Sequence, residues 1–339
     1  MTNATKTLAI VFAATLVLAL ASTWRGGTSS SAAFQDQLLA VDTSAVQAIR
    51  IDRPQDRSLR LERADGEWSV APADTSATYP ASSQSVNQLF STLPALSVSA
   101  VTTRQPDKHP RYGVDSTGTR ITMLGAGDEP LGDLIVGRTE MRRPQSQGRQ
   151  QNPMQRMRQM RRGTPITYVR SPNRPDVYSV EQSLRSVTGR TLTDWRDKQL
   201  WALSRSAIRQ IDFTFPGDSS FTMQRAAPSD TAATGAPDTW LSAGDTLATA
   251  EVSSVLRTLS SPRADGFVND TSPDDFGEAP YRVRVRTADG SRHTLRLRPT
   301  SGGNEYVAVA DAFPYVVTLD KTEWDDSVLQ GRTALLQNE

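Results

Sequence analysis

DQLLAVDTSAVQAIRIDR at residues 36–53 and KQLWALSRSAIRQIDFTF at residues 198–215 are two versions of one pattern. Asp36, Leu38, Leu39, Val41, Ala45, Val46 and Ile49 fall opposite Lys198, Leu200, Trp201, Leu203, Ala207, Ile208 and Ile211 at a constant offset of 162, gaps included. Self-similarity at this period means two tandem domains, since solenoid units run about 20 to 50 residues. The reading places a first repeat at 34–195, a second at 196–334 and a short tail at 335–339, after an N-terminal segment at 1–33.

Changes in the offset locate the insertions. Leu61 and Arg63 match Met223 and Arg225, but Trp68 matches Trp240 at 172, so the second copy gains ten residues between Ala226 and Pro237. That stretch is Ser, Thr, Ala, Pro and Gly, a loop composition. Leu89, Phe90 and Leu93 then match Val255, Leu256 and Leu259, and Tyr112 and Gly113 match Phe276 and Gly277 at 164. Tyr168 aligns with Tyr306 at only 138, and the drop of 26 is the length of the segment from Arg138 to Gly163. The first copy therefore carries 138–163 as an insertion.

Each copy predicts three strands, a helix and a set of hairpins. Ile49 and Ile51 alternate with Arg50 and Asp52, as Ile211, Phe213 and Phe215 do with their polar neighbours, the period of a half-buried strand. Leu59 and Leu61, or Phe221 and Met223, supply a second strand, and Trp68 and Val70 a third after an Asp65-Gly66 turn. The period then changes: Val86, Leu89, Phe90 and Leu93, and again Val252, Val255, Leu256 and Leu259, mark one face of a helix. Tyr281, Val283 and Val285 alternate with arginines, turn at Asp289-Gly290 and return through Leu295 and Leu297, a hairpin signature. The fold class is α+β, two tandem mainly antiparallel units with one packed helix each, and the low apolar fraction of 37% predicts sheets with one solvated face.

A net charge of +1 conceals an uneven distribution. Arg142, Arg143, Arg149, Arg156, Arg158, Arg161 and Arg162 face no acid between Met141 and Gly163, and taking these seven from +1 leaves −6 on the rest. With Met154, Met157 and Met160, several glutamines and no aromatic residue, 138–163 reads as a disordered basic loop at a hairpin tip. Such a loop suits an anionic lipid or an envelope polymer, or it is a tolerated surface extension. Nucleic acid is disfavoured, because single-strand binders interleave stacking aromatics. The arginine rows beside Val283 and Leu295 form a second basic surface, which the wet face of a sheet accommodates without a function.

The absence of cysteine excludes disulfides, a thiol nucleophile and Cys-ligated zinc. His109 and His293 occupy non-equivalent positions and lack the convergent partners of a triad or metal site. Gly125, Ala126 and Gly127 fall short of a nucleotide-binding fingerprint and join two strands, so they read as a hairpin turn. Asp270, Asp274, Asp275 and Glu278 offer oxygens to calcium, but a short helical turn begun by Ser272 and Pro273 explains them as well. No catalytic, cofactor or metal residue is assigned; a carboxylate-based hydrolase is the remaining enzymatic alternative, with no two acids marked as partners.

Lys6 precedes an apolar run from Leu8 to Ala21, broken only by Thr15. It reads either as a signal peptide cut after Ala21 or as an uncleaved membrane anchor extended through Trp24, which would sit at the interface.

The apolar N-terminus, the repeated sheet-helix units, the Trp68 strand, the Tyr112-Gly113 turn and the Val177-Tyr178 strand leading into Asp194-Trp195-Arg196-Asp197-Lys198 resemble a bacterial family, domain of unknown function 4340. The resemblance covers almost everything after residue 33 and brings no functional residues. It implies an extracytoplasmic protein tethered to the inner membrane, of a kind often encoded beside ABC-type transporter components. The expectation is a non-enzymatic, single-pass accessory protein with its bulk in the periplasm, acting by protein contact.

Overall fold

The computed structural model describes residues 38–336 except 40, 55, 143–162, 218 and 227–237. The apolar N-terminal run, the ten-residue gain of the second copy and six of the seven insertion arginines lie outside the described residues. The chain divides into two compact units, Met1–Trp195 and Arg196–Glu339.

The first unit contains β1 (Ala48–Asp52), β2 (Leu59–Ala64), β3 (Glu67–Pro72), β4 (Tyr79–Pro80), α1 (Ser83–Thr92), β5 (Ala100–Thr103), α2 (His109–Tyr112), β6 (Thr119–Leu124), β7 (Pro130–Arg142), β8 (Thr164–Arg170), β9 (Val177–Val180), α3 (Arg185–Thr188) and α4 (Leu192–Trp195). Its strands form one antiparallel sheet in the order β4-β3-β2-β1-β6-β7-β8-β9-β5. The second unit contains β10 (Ile208–Thr214), β11 (Phe221–Arg225), β12 (Trp240–Ser242), β13 (Asp245–Thr246), α5 (Thr249–Ser260), β14 (Gly266–Val268), β15 (Tyr281–Thr287), β16 (Arg292–Pro299), β17 (Glu305–Ala310), β18 (Val316–Asp320) and α6 (Lys321–Ser327). Its order, β13-β12-β11-β10-β15-β16-β17-β18-β14, repeats the first strand for strand.

Alternation builds both cores. Ile49, Ile51, Leu59, Leu61, Val70, Ile121, Met123, Leu134, Val136 and Val169 leave one face of the first sheet and meet Val86 and Leu89 of α1 and Leu93 at its C-cap. Ile211, Phe213, Met223, Val283, Val285, Leu295 and Leu297 do the same in the second, against Val252, Val255 and Leu259 of α5. Turn chemistry holds the register. Asp65 and Gly66 both have positive φ, 53° and 89°, as a two-residue hairpin turn requires. Ser82 caps α1 by accepting the Ser85 amide at 3.3 Å, while its own amide donates to the Trp195 carbonyl at 2.7 Å.

Trp195 and Arg196 anchor different units. Trp195 is fully buried in the first core. Arg196, 2% exposed, lies in the second with its guanidinium 3.5 Å from the Phe267 ring centre and 4.6 Å from that of Tyr315, and it donates to Asn269 Oδ1 at 2.8 Å.

Three expectations need correction. First, Tyr168 is not the counterpart of Tyr306. From Ile51 the ladder runs through Ile121 to Leu134, and from Phe213 through Val283 to Leu295. Two residues on, Val136 pairs with Val169 and Leu297 with Ala308, so Thr167 takes the place of Tyr306 and Tyr168 that of Val307. A one-residue slip exchanges the faces: Tyr306 is in the core, and Tyr168 packs on the other side of its sheet. Second, Arg138–Arg142 is not loop. β7 runs to Arg142 and pairs with β8 through Met141–Pro165 and Arg142–Thr164. Third, the outer face is not wholly solvated, because Val114, Ile135 and Val177 form a small second cluster there, as Phe276, Val309 and Val316 do in the other unit.

The Tyr306 hydroxyl donates to Asp325 Oδ1 at 2.6 Å from a residue 1% exposed, and burial first, then the neighbouring carboxylate, drive the phenol well above its ordinary range. A raised folded-state value contributes stability that is complete below the unfolded value of about 10 and is lost as pH rises through the folded one. Tyr306→Phe is expected to lower stability by about 1 kcal/mol at neutral pH. It should also flatten the fall in stability above about pH 10. Denaturant unfolding of the full chain across that range reads both, and an unchanged alkaline slope would contradict the assignment.

Candidate functional site

The outer face of the first sheet becomes a site because a segment of chain crosses it. Between β5 and β6 the chain runs through Pro106 and α2 and lays Tyr112 on Tyr168, ring centres 4.7 Å apart. Three glycines permit this approach. Gly113 ends α2 with φ 64°. A Cβ on Gly137 would lie 2.2 Å from the Tyr112 carbonyl oxygen, and one on Gly118 2.6 Å from that of Gly113. Arg170 ties down the far side, its Nε donating to the Val114 carbonyl at 2.9 Å and one terminal nitrogen to the carbonyls of Ser171, Pro172 and Arg174. A ring nitrogen of His109 lies 2.8 Å from the Pro175 carbonyl oxygen.

The segment and the sheet enclose an open groove of about 590 Å³, bordered by Asp52, Arg53, His109, Asp115, Arg120 and Arg170. Three guanidiniums reach it. The Arg53 side chain is 9% exposed and pairs with Asp56 at 2.8 Å, and its Nε is buried without a partner. Arg120 is held by Asp133, with Nε 2.9 Å from Oδ1. Burial pushes Arg170 below the ordinary arginine range, offset in part by Asp115. Asp115 itself accepts the Thr117 hydroxyl at 2.6 Å and amide at 3.1 Å, which hold its carboxyl below the usual range. The carboxylates of Asp52 and Asp115 offset these engaged guanidiniums, and a carboxyl held low does not serve for proton delivery, which needs a raised pKa.

The second unit differs at the same place. Ser272 starts a helical turn at Pro273–Asp275, accepting the Asp274 amide at 3.3 Å, so capping accounts for these acids as expected. Phe276 is buried beside Val309 and Val316, and Arg296 and Arg298 lie 5.7 and 4.9 Å from its ring centre. Arg298 stands where the first unit has Gly137. A groove of about 650 Å³ is bordered by Asp274, Arg296, Asp311 and Phe313. Among the described residues no group of three or more metal-ligating side chains converges.

Of the arginines singled out in the insertion, Arg142 is the described one, and it reaches Glu181 at 3.4 Å with its side chain 61% exposed. Arg143, Arg149, Arg156, Arg158, Arg161 and Arg162 lie outside the described residues. Of the groove residues His109 was singled out from sequence, and the others carried no signal because their segments lie far apart in the chain. The visible hint was the Tyr112-Gly113 pair recurring as Phe276-Gly277, a turn too specific for a free connection.

Gly137→Ala is expected to cost about 1–3 kcal/mol by forcing the Tyr112–Val114 segment off the sheet. Gly302→Ala, where a Cβ meets nothing within 4 Å, should stay within about 0.5 kcal/mol of the wild type. Thermal unfolding of both variants checks the difference, and equal effects would mean that the segment does not depend on Gly137.

No curated protein and no solved structure matches this chain. A family model does, over residues 162–281, from just before β8 to the first residue of β15, and so across the boundary between the units. The matching family is described as Domain of unknown function (DUF4340), and it is residues 162–281 that are similar to it.

Proposed function

We propose that this is a non-enzymatic accessory protein, anchored at the inner membrane by residues 7–24, that holds two related units on the periplasmic side and works by contact with a membrane complex, an ABC-type exporter being the candidate partner. The observation that carries this reading is the repetition of one nine-stranded architecture beside differing outer faces. Duplication that keeps a scaffold and varies its surface suits a protein that presents surfaces, because function lies in sites carried on folds. The apolar run from Leu8 to Ala21 supports the anchor, and among the described residues no helix is long and apolar enough to cross a membrane.

A second reading rests on the long hairpin. β7 pairs with β6 as far as Val136, but with β8 it continues to Arg142 and Thr164. The arginine-rich segment is therefore joined to the end of a two-stranded ribbon that outruns its neighbour. Such a ribbon suits the capture of an anionic lipid or envelope polymer by residues 143–162.

Crosslinking in intact cells, followed by membrane purification and mass spectrometry, separates the readings. A deletion that leaves Asn-Gly in place of 143–162 allows the Arg142–Thr164 pair to close through a short turn. Recovery of the uncleaved chain with transporter subunits in both wild type and deletion is the expected result. Loss of partners in the deletion alone would favour the second reading, and no partner in either would overturn the first.

A further inference from the structure

The outer faces of the two sheets carry opposite electrostatic designs. In the first, Arg50 pairs with Asp52 at 2.9 Å, Arg60 with Glu62 at 2.8 Å and Asp128 at 2.7 Å, and Arg120 with Asp133, while Arg170 donates to carbonyls. In the second, β15 places Arg282, Arg284 and Arg286 on that face, and β16 adds Arg292, Arg296 and Arg298. Asp212 of β10 is the acid within this field, and it holds Arg286 at 3.2 Å. Arg282, Arg284 and Arg292 have no ion pair among the described residues, and Asp274 and Asp311 approach only at the rim near Arg296.

The register makes this arrangement unfavourable to the isolated fold. Arg282 lies directly opposite Arg296, and Arg286 directly opposite Arg292, a pairing of like charges that destabilises a sheet. The first unit shows what relieves it. Thr294 stands where Asp133 neutralises Arg120, and Arg296 stands where the apolar Ile135 packs under the crossing segment. Arg282 stands where the first unit has Arg120, but Arg284, Arg286, Arg296 and Arg298 stand where it has Thr122, Leu124, Ile135 and Gly137, so the second unit has lost an acid and gained cations on one scaffold.

We infer that the β15–β16 face is a docking surface for an extended acidic segment of a partner protein with carboxylates at alternate residues. Arginines two apart on one strand repeat at about 6.6–6.8 Å, and the neighbouring row lies about 4.8 Å away. An extended peptide presents every second side chain on one side at the same repeat, so one carboxylate meets each guanidinium in turn. Guanidinium and carboxylate also match as planar, two-point partners. An anionic bilayer lacks that repeat, and among the described residues the exposed large apolar side chain that could enter one is Met141 of the other unit. This deepens the contact reading by naming the chemistry of the partner surface, and it rests on that reading only in taking the partner to be a protein.

The test uses the full-length chain and fluorescence anisotropy with a labelled alternating Asp-Thr peptide, a peptide of the same composition with its acids in one block, and phosphatidylglycerol vesicles. The alternating peptide is expected to bind best and to weaken as salt is raised. The triple variant Arg282→Gln, Arg284→Gln, Arg292→Gln should lose about tenfold in affinity, three exposed ion pairs being worth that much together. Its thermal stability should not fall, because repulsion is relieved. Asp212→Asn, which removes the competing acid, should bind more tightly, so the inference stays testable if the triple variant misfolds. Equal binding of the two peptides, an undiminished triple variant that is folded, or capture by vesicles in place of the peptide would each overturn it. Binding is read on the purified chain, so a failed crosslinking experiment and a failed peptide experiment remain distinct results.

Discussion

Neighbouring side chains of a strand leave on opposite faces, and both units depend on keeping that alternation in step across nine strands. One face must be apolar to meet the helix, so Ile49 and Ile51, or Ile211 and Phe213, fix which residues of every other strand face inward. Arg50 and Asp52 are then committed to the outside by position alone. The charged surface of each unit is therefore a consequence of core register. A slip by one residue in β15 would bury Arg282, Arg284 and Arg286, and the large cost of burying unpaired charge makes the register unambiguous.

The outer face is where the two units part. In the first, glycine at 137 lets a backbone segment lie against the sheet, and Tyr112, Val114, Ile135, Tyr168 and Val177 close over it. In the second, Arg298 fills that position with its guanidinium over the Phe276 ring. The Gly137 position thus admits a close approach of the Tyr112–Val114 segment that a Cβ would obstruct. Grooves flank the crossing segment in both units, with three arginines and two aspartates bordering the first and two aspartates and one arginine the second.

Much of this was legible in the sequence, and the reason is the same alternation. Period-two runs such as Tyr281–Thr287, the switch to helical spacing at Val86 and Val252, and turn pairs such as Asp65-Gly66 are local signals, each readable within a few residues. The sheet order needed more. β5 and β14 pair with β9 and β18, distant in sequence, and carry two or three polar or half-buried residues that announce no strand. The match of Tyr168 to Tyr306 failed because identity of residue type outweighed face. A bulge in β7, between Val136 and Thr139, and the unequal turns before it shift the count by one, and no single-residue signal marks such a shift. The groove was illegible for a related reason: Arg53, His109, Asp115 and Arg170 are brought together by pairing across strands, not by spacing.

Trp195 and Arg196 are adjacent in sequence and each is anchored in its own unit. Trp195 closes the first core, and its carbonyl holds the amide of Ser82 at the start of α1. The very next side chain, Arg196, lies between the rings of Phe267 and Tyr315 in the second unit. Arginine fits this position because its flat guanidinium can stack on aromatic faces while its edge donates to Asn269, which a lysine could not do. The Asp-Trp-Arg-Asp-Lys stretch is thus a structural junction whose two large side chains belong to different cores. Its distinctive composition follows from packing on both sides of one bond and requires no chemistry of its own.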